Sequence, residues 1–229
     1  MAPKRPSQRI RRDSPQAQLE LRSAATSAAL TIYRRHGLDG LTMRAVASRV
    51  GVTPMALYRY FTNKTELLRA LGDVALGELL GEVRTAIAAL TSARERVRAS
   101  ARAYIAYWER HPEHYRLVFL EGGRPDWPLH NPRFAAKVDH YQQGLELATE
   151  LFNAYADEVG GDRSRVPLAR DVRLALVMGY LQARLVYSRY PWNDLDRLRE
   201  QIIDTVVSAT AAILRGESDE AVAGARGAR

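Results

Sequence analysis

The stretch that decides the fold runs from residue 41 to residue 64: Leu41-Thr42-Met43-Arg44-Ala45-Val46-Ala47-Ser48-Arg49-Val50-Gly51-Val52-Thr53-Pro54-Met55-Ala56-Leu57-Tyr58-Arg59-Tyr60-Phe61-Thr62-Asn63-Lys64. Thr42 suits the N-cap of a short helix carrying Met43, Val46, Ala47 and Val50. Gly51-Val52 breaks that helix. Thr53-Pro54 then reads as an N-cap followed by proline in the first turn of a second short helix, Met55 to about Phe61. Ala47 is small where two helices would cross closely, and Gly51, four residues later, sits where the turn needs a positive φ. Val46, Val50, Val52 and Leu57 can close a miniature core. Such a helix-turn-helix holds its second helix outward, so that the helix's first residues can enter the major groove of DNA. The spacing alone is also met by helical hairpins with no such role.

Outward from this unit the chain reads as helix after helix. Upstream, Leu19, Ala25, Ala28, Ala29, Ile32 and Tyr33 recur at three and four, predicting a helix from Gln18 that ends at His36-Gly37 with a left-handed glycine cap. Residues 1–16 (Lys4, Arg5, Arg9, Arg11 and Arg12 among them) form a basic arm expected to be disordered. Downstream, Asn63 and Glu66 stand at capping-box spacing. Helices are expected over 65–89, 93–110, 113–121, 133–158, 167–189 and 194–214, with Pro and Gly in the gaps or at helix starts. A frayed tail is expected over 216–229. Strand alternation is nowhere convincing, so the fold class is all-α.

Composition narrows the function. Of 229 residues 46% are hydrophobic, enough for a real core, and there is no cysteine, which removes disulfide scaffolds, zinc ribbons and thiol nucleophiles. No run approaches about 18 consecutive apolar residues, so no membrane span is expected. The basic start lacks the apolar stretch of a signal peptide, leaving the cytoplasm as the expected compartment. The net charge of +8 is unevenly placed: through Lys64 twelve basic side chains face three acidic ones, while the rest has twenty-two against twenty-three. A basic head on a neutral body is the pattern of a polyanion-binding module joined to something else. On charge alone, a solvated basic face remains the plainer alternative.

Read whole, residues 19–71 resemble the DNA-binding domain of the tetracycline-repressor (TetR) family of bacterial transcriptional regulators. The match includes Gly37 and the Leu57-Tyr58-x-Tyr60-Phe61-x-x-Lys64 signature. Thr53 and Tyr60 stand where the family commonly has Ser and His, and both keep a hydrogen-bonding group. The resemblance implies a three-helix DNA-binding domain over 17–66 and a larger helical effector-binding and dimerisation domain over 67–215, about nine helices in all. It implies that Thr42 and Arg44 contact phosphate or a base edge. Thr53, Pro54, Met55, Ala56 and Tyr58 would present the recognition surface, with Tyr58, Tyr60 and Lys64 gripping the backbone. Pro54, Met55 and Ala56 cannot form bidentate base contacts, so Arg44, Thr53 and Arg59 are expected to supply most polar ones, with Met55 and Ala56 against thymine methyls. Lys64 opposes the macrodipole of the helix it starts, an opposition that a bound phosphate reverses.

The body is less specific. Tyr104 to Phe119 resembles one subgroup's His-Pro-x-x-Tyr-Arg-Leu-x-Phe junction. Aromatic residues concentrate nearby, Trp127 and Phe134 included, and the expected lining of an apolar effector pocket is Trp108, Tyr115, Phe119, Tyr141, Met178 and Gln182. Any of these can equally be plain core. His111 and His114 lack a third ligand at fixed spacing, so no metal and no cofactor are expected. Val172, Leu176, Gly179 and Ala183, with Leu198, Ile202, Val206, Ala209 and Ile213, recur at helical spacing, which serves a dimer interface or an internal core alike. The resemblance favours a homodimer on a palindromic operator of double-stranded DNA, released as a repressor by a small-molecule effector. The alternatives are a DNA-binding protein of the same fold without an effector, and an all-α enzyme using the aromatic pocket. Against the latter, the chain shows no nucleophile-base pair, phosphate loop or metal-ligand set.

Overall fold

Ser14 opens the first helix by accepting the Ala17 N–H on its hydroxyl at 3.1 Å. The computed structural model describes residues 14–120, 139–187 and 189–217. Among them are nine α-helices and no strand: α1 (Pro15–Gly40), α2 (Met43–Val50), α3 (Pro54–Tyr58), α4 (Lys64–Ile87), α5 (Ala93–Arg110), α6 (Pro112–Tyr115), α7 (Asp139–Val159), α8 (Val166–Leu185) and α9 (Leu195–Arg215). A π-helical stretch, Arg116–Leu120, follows α6. Of the arm expected to be disordered over 1–16, residues 1–13 lie outside the described residues while Pro15 and Gln16 already belong to α1; of the tail expected over 216–229, Gly216 caps the last helix and 218–229 lie outside the described residues, as do Trp127 and Phe134.

The chain divides into two compact units between Gly72 and Asp73. The sequence reading puts the boundary at 66–67; α4 runs unbroken through both positions. In the first unit Ala25, Ala28, Ala29, Ile32 and Tyr33 are buried on one stripe of α1, together with Val46, Ala47, Leu57 and Phe61. Leu19, counted in the same stripe, is exposed. Gly37 has φ 61° and ψ −162°, a region open almost only to glycine, so it kinks α1 rather than capping it in the left-handed helical conformation, and helical turns resume to Gly40.

Two carboxylates hold the second unit's long helices together. Glu158 of α7 accepts the Ala93 and Arg94 N–H groups (2.5 and 3.2 Å) and the Ser92 hydroxyl (3.2 Å), satisfying the N-terminus of α5. Glu109 of α5 accepts the Tyr180 hydroxyl of α8 at 2.5 Å and the Arg199 guanidinium of α9 at 3.2 Å. Around them Ile105, Trp108, Tyr155, Val177, Leu181 and Ile203 form the core. Gly161, after α7, lies so close to the end of α9 that an added Cβ would stand 2.8 Å from the Leu214 carbonyl oxygen. Helix α8 ends at Leu185, four residues before the expected limit, with the Val186 and Tyr187 N–H groups both on the Gln182 carbonyl.

Candidate nucleic-acid interface and effector cavity

Each short helix of the first unit is started by its own side chain. Thr42 Oγ1 accepts the Ala45 N–H at 3.1 Å, and Thr53 Oγ1 the Ala56 N–H at 3.2 Å. Both hydroxyls act as acceptors there, which leaves their hydrogens to donate outward, and both residues are exposed. Gly51 takes the left-handed conformation (φ 73°, ψ 31°), and the Val52 N–H reaches the Ala47 carbonyl at 3.0 Å, closing the turn. Asn63 Oδ1 accepts the Glu66 N–H at 2.8 Å. The reciprocal arm of this capping box goes one residue further back than expected, Glu66 Oε2 accepting the Thr62 N–H (2.6 Å) and hydroxyl (2.8 Å). Burial pushes the Glu66 carboxyl up, but these two hydrogen bonds with Arg22 and Arg69 outweigh it and hold its pKa below the usual value.

Helix α3 spans Pro54–Tyr58 and stops before the expected Phe61, because the Tyr60 and Phe61 N–H groups converge on the Leu57 carbonyl (3.0 and 3.1 Å). Leu57 and Phe61 are fully buried. Met55 is 77% exposed and Tyr58 45%, while Ala56 and Tyr60 are half-buried and Pro54 is open. Arg44, Arg59, Thr53 and Thr42 are exposed as well, so the residues expected to meet DNA present donors and small apolar groups to solvent. Lys64 is different: its Nζ donates to the Leu38 carbonyl at 2.7 Å. Sequence reasoning missed Arg22, whose Nη1 donates to the Tyr60 carbonyl at 2.9 Å with its guanidinium carbon 4.8 Å from the centre of the Phe61 ring. No linear pattern links residues so far apart.

The second unit contains a cavity of about 260 Å³ between α4, α5, the π-helical stretch, α7 and α8. Its wall is mostly apolar: Leu76, Leu79, Leu80 and Val83 of α4, Val118 and Phe119, and Leu145, Leu147, Leu151 and Phe152 of α7. Of the expected lining, Phe119 and Tyr141 are there. Trp108 and Tyr115 are fully buried in the core behind it, edge-to-face at 5.9 Å, and Met178 packs against that core. Their aromatic segment does approach the cavity, but through Tyr104 and Phe119. Arg170, Arg173 and His140 also line the cavity and were not foreseen. His140 Nδ1 lies 3.0 Å from Asp73 Oδ1, off hydrogen-bond geometry, and its backbone N–H donates to the same oxygen at 3.2 Å.

Gln182 falls elsewhere. Along α8 and its C-cap the partly or fully exposed positions Leu168, Val172, Ala175, Gly179, Gln182 and Val186 repeat at four and three; along α9 Leu195, Leu198, Ile202, Thr205, Ala209 and Ala212 do the same. Five of the expected interface residues other than Gly179 are thus half-exposed at the surface: Val172, Leu176, Leu198, Ile202 and Ala209. Ala183, Val206 and Ile213 are buried within their own chain at 5%, 0% and 6% exposure, which corrects their assignment to an interface. Helical spacing marks a buried face without saying which chain buries it.

The two histidines serve packing. His114 is fully buried with Nδ1 2.7 Å from the Tyr107 hydroxyl oxygen, and its ring stacks on His111 at 5.1 Å. Among the described residues no three of His, Asp and Glu gather as a metal site.

Comparison with known proteins agrees with this geometry. Residues 25–71 match the bacterial regulatory proteins of the tetR family. The chain is similar to the HTH-type transcriptional activator FasR of Mycolicibacterium smegmatis, 32% identical over 93% of this chain and 90% of that protein. It is also similar to the class A tetracycline repressor from transposon 1721 of Escherichia coli, 30% identical over 65% of this chain and 76% of the repressor. The crystal structure of the transcriptional regulator FadR from Bacillus subtilis, in complex with stearoyl-CoA, superposes with a TM-score of 0.63 at 18% identity over 81% of this chain and 97% of that one, which shows a shared fold. A helix-turn-helix capped residue by residue, carried in a chain that is 32% identical over 93% of its length to a regulator of transcription and matches the tetR family over residues 25–71, settles the assignment: the protein is a DNA-binding transcriptional regulator of the TetR family, not an enzyme.

Proposed function

We propose that the protein works as a homodimer on a palindromic operator, repressing until a small molecule enters the cavity of the second unit. The observation that carries this reading is the cavity itself, an apolar chamber with a few polar groups. Its wall includes Leu76, Leu79, Leu80 and Val83 of α4, the helix that begins at Lys64 beside the DNA-binding motif. The exposed three-four stripes of α8 and α9 support pairing of two copies as a four-helix bundle. A single helix-turn-helix spans too few base pairs, and two-fold symmetry doubles the contacts on half-sites about 34–36 Å apart or multiples of that. Thr42, Arg44, Thr53, Tyr58, Arg59, Tyr60 and Lys64 supply polar contacts to the duplex, with Pro54, Met55 and Ala56 against base edges.

Ligand can weaken operator binding only by preferring the conformation that binds DNA less well, so about 100-fold release takes about 2.7 kcal/mol of differential affinity. The sign of regulation follows from where the operator lies, and the relatives include both an activator and a repressor by name. The test is selection of a binding site from random duplexes, followed by binding measured with and without cavity ligand. A two-fold symmetric site whose occupancy falls with ligand supports the proposal. Ligand-saturated protein that binds the site as well as free protein removes the induction mechanism.

A further inference from the structure

The cavity of the second unit is apolar along most of its wall and basic at one side. Leu80, Val83, Leu145 and Leu151 are typical of the apolar part. Arg170 and Arg173, nearly one turn apart on α8, reach the same wall, and among the described residues no Asp or Glu stands with them in the lining. Arg170 is accounted for: Nη1 donates to Thr149 Oγ1 at 3.3 Å, and Nε is 4.0 Å from the exposed Asp171. Arg173 is not. Its guanidinium carbon sits 5.3 Å from the centre of the Tyr104 ring, and among the described residues no carboxylate pairs with it.

Burial weighs against the charge of Arg173, yet a guanidinium does not give up its proton in a protein. A cation partly withdrawn from water without a counter-ion is costly, and a bound anion relieves that cost. Its neighbours are also donors. The Tyr104 hydroxyl bonds to no described acceptor, and burial raises its pKa, keeping the proton on. Behind it the Trp108 Nε1–H and the Tyr115 hydroxyl are buried and, among the described residues, find no hydrogen-bond partner, the latter's pKa pushed up to about 12 by burial and by Tyr104. The indole N–H favours the Tyr104 oxygen electrostatically from outside hydrogen-bond geometry. Donors in excess around one unpaired cation call for an acceptor carrying negative charge, and the planar guanidinium suits the two oxygens of a carboxylate.

Resting on the effector reading above, we propose that the cavity takes an amphipathic monoanion, an unbranched alkyl chain ending in a free carboxylate, with the carboxylate on Arg173 and Tyr104 and the chain along the leucine-rich wall. Full-length protein is titrated calorimetrically with decanoate, decan-1-ol and decanoyl-CoA, and the acid and alcohol are repeated on Arg173→Met. Decanoate binds at least about tenfold tighter than the alcohol, a difference of about 1.4 kcal/mol. It also outcompetes the thioester, and Arg173→Met brings acid and alcohol together. Equal binding of acid and alcohol by the native protein overturns the carboxylate assignment but keeps the cavity as an effector site, and needs no variant to be read. Preference for the thioester, or an acid preference that survives Arg173→Met, overturns it as well. If neither acid nor alcohol binds, the alkyl-carboxylate proposal falls, while the effector reading, which names no ligand, is tested by its own experiment.

Discussion

Lys64 ties the start of α4 to the end of α1, its ammonium donating to the Leu38 carbonyl at 2.7 Å. Without that bond the Leu38 oxygen loses a charged donor, and without a phosphate the ammonium faces the positive end of its own helix. One side chain thus has a structural and an electrostatic role. Lys64→Ala is expected to lower the stability of the first unit by about 1 kcal/mol, the scale of a partly exposed charge-assisted bond. It should also weaken binding to every duplex alike and flatten the dependence of log affinity on log salt by about one unit. Thermal melting reads the first effect and a salt series the second. A stability loss with an unchanged salt slope would make Lys64 a purely structural tie.

Arg44 is exposed in the first turn of α2 and makes no hydrogen bond or ion pair with any described residue. Its removal therefore costs the folded chain nothing that the structure reveals, and any change in DNA binding reports on the duplex. Arg44→Ala should lose about 1–3 kcal/mol on the preferred site and relax discrimination at one base position. Binding to a panel of single-base variants of the selected site measures this. Uniform weakening across the panel would demote Arg44 to a phosphate contact.

Glu66 makes the first unit sensitive to acid. Its carboxyl is held below its ordinary pKa by the Thr62 N–H and hydroxyl and by Arg22 and Arg69, against the opposing effect of burial. A group with a lowered folded pKa contributes its full stabilisation above the unfolded value, near 4.3, and loses it as pH falls through the folded value. Melting of the native chain between about pH 6 and pH 3 should therefore fall more steeply than that of Glu66→Gln, with a difference at neutral pH of about 1 kcal/mol, the scale of a lost cap. Parallel melting curves across that range would show that the carboxylate's charge does not matter.

The caps of the first unit were legible because capping is local. Thr42, Thr53 and Asn63 each act within three residues of themselves, and Gly51 obeys a steric rule of its own backbone. Arg22 was not legible, since its partners Tyr60 and Phe61 are brought to it only by the folded chain. The cavity was half legible for a related reason. A helical repeat of aromatic residues marks an inward face, but Trp108 and Tyr115 turn into the core while Phe119, on the π-helical stretch, reaches the cavity. Arg170 and Arg173 were not foreseen, because nothing local in the sequence marks a charge that lines a cavity. Gln182 was expected in the effector lining, whereas the spacing it shares with Val172 and Gly179 places it on the outer stripe of α8.

Gly179 offers a clean test of that stripe. It is exposed in the middle of α8, and a Cβ added there meets nothing within 4 Å in its own chain. A Cβ there is therefore accommodated by the single chain, and replacing glycine inside a helix gains up to about 1 kcal/mol of helix propensity. A second copy packed on α8 and α9 would meet the new side chain where glycine had allowed close approach. Gly179→Arg should keep or raise the helicity and melting temperature of the chain at low concentration while halving its mass by light scattering. Operator affinity should drop by about 100-fold or more, because two half-sites bound as one unit become two separate weak events. A variant that stays dimeric and binds operator normally would move the interface off the α8–α9 stripe.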